Sequence, residues 1–241
     1  MTMDPLASLA SLEGVPSAFA SSRDGVDALL RDRGLRKTSP ELTGESLLRG
    51  AWASAVLEGS TSSMDQVRAG EGDEIAASAV RVSTELLSLV PVLKRSPLQA
   101  FARIHALAGL GSVHAEDLGR PRSAEAAAGL QTLAARLLAP TTAPAMLVAA
   151  IVHADLATAT PFASHNGIVA RAAERLVLVA RGVDEKSLLV PEEGHRFFQA
   201  EYESNLRAYA HASGVSGVHA WLLYAAEAYA KAAEASPVKA K

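Results

Sequence analysis

The stretch Thr160-Pro161-Phe162-Ala163-Ser164-His165-Asn166-Gly167-Ile168-Val169-Ala170-Arg171 decides how this chain is read. An alanine-rich run from Ala143 enters it with helical spacing. Pro161 ends that run, because proline lacks an N–H and its ring clashes with the preceding turn. A second helical run leaves the stretch, marked by Arg171, Arg175, Leu176 and Val179. The loop between them carries Asn166-Gly167, residues that tolerate positive φ and let a ligand approach the backbone. A loop feeding a helix start presents unpaired N–H groups, which favour an anion. Geometry alone makes this a candidate phosphate cradle, although junctions of this kind are common and most bind nothing.

Outward from that loop the pattern stays helical. Thr43-Gly44-Glu45-Ser46 precedes Leu47, Leu48, Ala51, Ala55 and Val56, which predicts a helix over 43–59 with Ser54 and Glu58 one turn apart. Further helices are predicted for 74–93, from Pro97, for 123–138, 143–159, 168–181, 192–212 and 217–235. The glycine-punctuated segment 111–122 reads as a loop or a short hairpin. Residues 1–42 are expected to form a loosely held arm, 43–212 a helical core, and 213–241 a C-terminal helix with a frayed tail. No strand alternation, heptad series or internal repeat interrupts this, so the predicted class is all-α.

Composition narrows the function. The 241 residues carry a net charge of −3 and no cysteine, which removes disulfides, thiolate catalysis and cysteine-ligated metal together. No basic block or aromatic–basic interleaving points to nucleic acid, and no basic amphipathic stretch points to a membrane surface. The N-terminus lacks the pattern of a secretory signal, and the apolar runs are too short to span a bilayer, so a cytoplasmic protein is the expectation. His105, His114, His153 with Asp155, and His195 are scattered without a His-x-x-x-His pair. They are expected to play ordinary core or surface roles, and no metal site is predicted.

With these elements in order, the central stretch resembles the signature of the Fic (fido) family, His-Pro-Phe-x-(Asp/Glu)-Gly-Asn-Gly-(Arg/Lys)-x-x-Arg. Pro161-Phe162, Asn166-Gly167 and Arg171 stand at matching spacing. Ile104-His105-Ala106-Leu107 followed by Gly119-Arg120-Pro121-Arg122 is similar to the helix, flap and Gly-x-x-Arg turn of that family. Ser54-Ala55-Val56-Leu57-Glu58-Gly59 fits its inhibitory-helix pattern, (Ser/Thr)-x-x-x-Glu-(Gly/Asn). The resemblance implies a Fic-like helical bundle over residues 45–212. It also implies a site taking ATP with Mg²⁺, and an inhibitory glutamate that contacts the distal arginine.

The departures fall on the reactive positions. Thr160 stands where the resemblance implies a general-base histidine, and a hydroxyl has no useful basicity near neutral pH. Ser164 replaces the acid implied to hold Mg²⁺, and is a far poorer ligand for a hard cation. His165 replaces the first glycine, and Ile168 the first arginine with its phosphate fork. Ser164, His165, Asn166, Gly167 and Arg171 are the candidate nucleotide or anion contacts, with His165 the one candidate substitute base. Ser54, Glu58 and Arg171 are the candidate inhibitory or structural set. The expected function is binding of a protein partner or a nucleotide, with AMP transfer impaired. The alternatives are a transferase using His165, or a helical scaffold that forms homo-oligomers.

Overall fold

The computed structural model describes residues 4–31, 40–211 and 214–238. Among them are thirteen α-helices and no strand. In order they are α1 (Pro5–Leu9), α2 (Val15–Arg31), α3 (Pro40–Leu57), α4 (Met64–Ala69), α5 (Glu74–Glu85), α6 (Val90–Arg95) and α7 (Pro97–Gly109). Then follow α8 (Ala124–Leu138), α9 (Ala145–Ala159), α10 (Asn166–Ala180), α11 (Pro191–Phe197), α12 (Gln199–His211) and α13 (Ser216–Glu234).

The axis of the bundle is the packed pair α9 and α10, joined by the loop that opened the sequence reading. In α9 every residue from Met146 to Ala154 is buried, and in α10 every residue from Ile168 to Val179. α9 is apolar nearly all round and so is enclosed, while α10 is enclosed with Arg171, Glu174 and Arg175 among its buried residues. The small side chains of Ala149, Ala150, Ala170 and Ala173 let neighbouring helices come close, in keeping with the alanine-rich composition. α13 brings the largest aromatics to this axis: Trp221 and Tyr229 are fully buried, and the Trp221 indole N–H donates to the Ala150 carbonyl at 2.9 Å. α3 packs on α5 and α11 and ends at Leu57, short of the predicted 59, which places Ser54 and the turn residue Glu58 beside the start of α10.

Several sequence expectations need correction. The arm is not loose over 15–31: α2 packs along α13 and buries Val15, Phe19 and Val26, and the Ser22 hydroxyl donates to the Ala226 carbonyl. Residues 1–3 and 32–39 of that arm lie outside the described residues, as do 239–241 of the expected tail. α3 begins at Pro40, so Thr43 is inside the helix and its hydroxyl donates to the Lys186 carbonyl instead of capping. Pro at a first helical position is pre-organised for the turn, which explains the earlier start. The run predicted over 192–212 is two helices, α11 and α12, broken at Phe198, with residue 212 outside the described residues. Between the loop and hairpin readings of 111–122, turns are found.

The stretch Glu74–Arg95, 22 residues long, is by length and composition apolar enough to cross a membrane, contrary to the sequence reading. Here it is three helical pieces with Ala76, Ala79, Val82, Leu86 and Leu93 buried against the bundle.

Candidate functional site

The loop at the centre is held by local chemistry that the sequence specifies. α9 stops at Thr160, which adopts a left-handed conformation (φ 42°, ψ 59°). A residue before proline is driven out of the right-handed helical region, and a β-branched residue at positive φ is strained. The Asn166 side chain then clamps the loop shut: its Oδ1 accepts from the Phe162 N–H at 2.9 Å and its Nδ2 donates to the Phe162 carbonyl at 3.0 Å. The Phe162 ring is 2% exposed and stacks on His105 with centroids 4.3 Å apart. Arg122, at the end of the 111–122 segment, donates its backbone N–H to the Pro161 carbonyl at 2.9 Å.

His105 ties the same segment from the other side. Its Nδ1 accepts the Gly119 N–H at 2.9 Å, so the imidazole proton sits on Nε2, which is buried and has no partner among the described residues. Burial, with His165 nearby, pushes its pKa down to about 4.

His165 precedes α10, also left-handed at φ 57°. Its Nδ1 is 2.6 Å from the Ser164 hydroxyl and its Nε2 is 3.4 Å from the Ser112 hydroxyl of the flap segment. Partial burial, reinforced by Arg81 and opposed by Glu58, lowers its pKa and favours the neutral ring. Ile168 is turned into the core at 2% exposure. Beside it lie Gly50 and Ser54 of α3 and Val82 of α5.

The first turn of α10 carries the electrostatic centre. A Cβ added at Gly167 would overlap the carboxylate of Glu58, so the glycine is what lets that carboxylate lie on the helix start. Unpaired N–H groups and the positive end of the helix dipole favour an anion there. One turn on, Arg171 is 1% exposed. Its Nε donates to the Ser54 hydroxyl at 2.9 Å, and its Nη2 donates to the Ser54 carbonyl at 3.1 Å and to Glu58 Oε1 at 2.7 Å. Its Nη1 donates to the Tyr202 hydroxyl at 3.1 Å. Glu58 itself is 29% exposed, so the pair joins a buried cation to a half-buried anion. A second arginine one turn further, Arg175, pairs bidentately with buried Glu192 and also donates to the Ser46 and Ser187 hydroxyls.

The structure thus brings Ser54, Glu58, Gly167 and Arg171 together, sets Ser164 against His165, and uses Asn166 to shape the loop. Thr160 takes its place at the loop entrance through its backbone. Sequence reasoning missed the buried partners behind Arg171, which are Tyr202, His153, Glu174 and His195. Their separation along the chain leaves no local motif to find.

No protein-family model and no curated protein sequence matches the chain. Solved structures do. A Fic family protein from Desulfovibrio desulfuricans G20 superposes with a TM-score of 0.77 at 18% identity, covering 93% of this chain and 74% of that one. A fragment of Fic-1 from C. elegans superposes with a TM-score of 0.71 at 18% identity, covering 92% of this chain and 71% of that one. The helical bundle superposes on those of Fic proteins over nearly all of its length, and the protein has the Fic (fido) fold.

Proposed function

We propose that this Fic-fold protein is impaired in AMP transfer and acts by binding, with its nucleotide cleft held by its own glutamate. The observation that carries this is the Glu58 carboxylate seated on the Gly167 helix start and paired with Arg171 at 2.7 Å. A phosphate entering the cradle has to displace that carboxylate. The residues that would reward the exchange are missing. Ile168 is committed to the core, and Thr160 offers no base. Four of the five Arg171 N–H donors are already engaged.

Mg²⁺ fits the residues present poorly. The hydroxyl of Ser164 faces His165, and the carboxylate at the helix start is tied to a buried arginine. A hard divalent cation favours several oxygen ligands, carboxylates foremost. No step is therefore derived through it. General-base catalysis alone is typically worth ~10²–10⁴-fold, and its loss with that of a phosphate-facing arginine suffices to suppress transfer. What remains is a helix start held by its own glutamate beside an exposed flap segment, a surface suited to a protein partner or to a nucleotide held without turnover.

A second reading is favoured by one contact. Ser164, His165 and Ser112 form a chain at 2.6 and 3.4 Å, which gives the loop one neutral imidazole able to take a proton. Incubation of the purified protein with ATP and Mg²⁺, followed by thermal shift and intact mass, separates the readings. No mass gain is expected. Self-labelling that persists in Thr160→Ala and vanishes in His165→Ala would replace binding with transfer by a displaced base.

A further inference from the structure

Behind Arg171 runs a buried polar chain. The Tyr202 hydroxyl that accepts from Arg171 lies 2.9 Å from His153 Nε2. His153 Nδ1 lies 2.8 Å from Glu174 Oε2, and His195 Nε2 lies 2.9 Å from the same oxygen. His195 Nδ1 meets the Tyr224 hydroxyl at 2.9 Å, and Tyr229 donates its hydroxyl to Glu174 Oε1 at 2.7 Å. His153, Glu174 and His195 are each fully buried.

By residue type these three could be metal ligands, since their ligand atoms lie within 4.8 Å of one another. The proton count decides against it. Arginine can only donate, so the Tyr202 oxygen accepts from Arg171, and the Tyr202 O–H has one remaining partner, His153 Nε2. That nitrogen must carry a lone pair, which places the imidazole proton on Nδ1, pointing at Glu174. A cation there would need a lone pair on Nδ1 and would leave a buried phenol proton orphaned, a costly arrangement. In the far half the Glu174 carboxylate can only accept, so His195 Nε2–H donates to it, while the Tyr224 hydroxyl at His195 Nδ1 can donate or accept. Every member is satisfied, and a fully satisfied buried network is rigid.

We propose that Tyr202, His153 and Glu174 are positioning residues for the cleft. They hold the Arg171 guanidinium against Ser54 and Glu58 from the core side, and fix His153 in its Nδ1–H tautomer. The chain joins one cation, Arg171, to two carboxylates, Glu58 at the cleft and Glu174 in the core, so the geometry of one end constrains the other. The inference rests on the reading of Glu58 and Arg171 as the cleft's clamp, but its test uses no ligand. A failure of nucleotide binding would therefore leave it standing.

Tyr202 and Glu58 share no hydrogen bond, so any coupling between them passes through Arg171. In a thermal-melting cycle of Tyr202→Phe, Glu58→Ala and the double variant, the double loss is expected to fall short of the sum by at least ~2 °C. Additive losses would overturn the relay. Should Tyr202→Phe fail to fold, side-chain ¹⁵N spectra of the unaltered protein at pH 7 still decide the matter. They are expected to show His153 protonated on Nδ1 and His195 on Nε2. An Nε2–H tautomer, an imidazolium or a metal-bound ring at His153 would refute it.

Discussion

Replacing Arg171 by Met keeps the length of the side chain and removes its charge and all of its donors. The guanidinium is 1% exposed and makes four hydrogen bonds, to Ser54 Oγ, the Ser54 carbonyl, Glu58 and Tyr202. Losing several charge-assisted hydrogen bonds at once, and leaving the buried Ser54 and Tyr202 groups without their donor, typically costs ~3–5 kcal/mol in all. For a chain of this size that corresponds to a fall of roughly 6–20 °C in melting temperature. Glu58→Gln makes the contrast. Arg171 keeps its bonds to Ser54 and Tyr202 but, at 1% exposure, is left without its carboxylate. The loss there is expected at ~1–3 kcal/mol. Urea titration and thermal melting of both variants measure the difference. An Arg171→Met loss under ~1 kcal/mol would refute the view that α10 is tied to α3 through this arginine.

Three further outcomes follow from the packing and the titrating groups. A Cβ at Gly194 would run into the Ala228 backbone carbonyl of α13, so Gly194→Ala should destabilise by ~1–3 kcal/mol in urea titration, and an unchanged midpoint would contradict the packing of α11 on α13. Gly167→Ala should evict the Glu58 carboxylate, visible as loss of the Glu58–Arg171 pair in a crystal structure of the variant; a pair retained in place would contradict the close approach at Gly167. Burial pushes the pKa of His153 down to about 4 from 6.5, against the pull of Glu174. The unfolded chain therefore takes up this proton first. Its contribution is complete above ~pH 6.5 and declines towards ~pH 4, by at most ~3 kcal/mol, in urea titrations compared across that range. A flat profile, unchanged in His153→Gln, would contradict a buried neutral ring.

The fold was legible where local chemistry and periodicity agreed. Pro161 marks the end of α9, Asn166-Gly167 the start of α10, and Ser54 in the last turn of α3 lies one turn before Glu58, all within reach of sequence spacing. The packed N-terminal helix α2 was not, because Val15, Phe19 and Val26 are diluted by Ser, Ala and Gly, and their burial depends on α13, two hundred residues away. The buried network was equally hidden. His153, Glu174, His195 and Tyr202 sit on four separate helices, and each alone resembles an ordinary core or surface residue. Only the close approach of α9, α10, α11 and α12 gives them a common proton count. The orientation of Ile168 towards α3 and α5 was also beyond the motif, which marks the position but not the direction of its side chain.

Removing the glutamate from the cradle while leaving the loop intact isolates the chemistry of the cleft. Glu58→Ala, supplied with Mg²⁺ and ATP labelled at the α-phosphate, is expected to transfer no label to itself or to added protein, since Thr160, Ser164 and Ile168 remain in place. Label appearing in this variant, at the unaltered protein's level or above, would contradict the account and make the Fic fold here an active transferase.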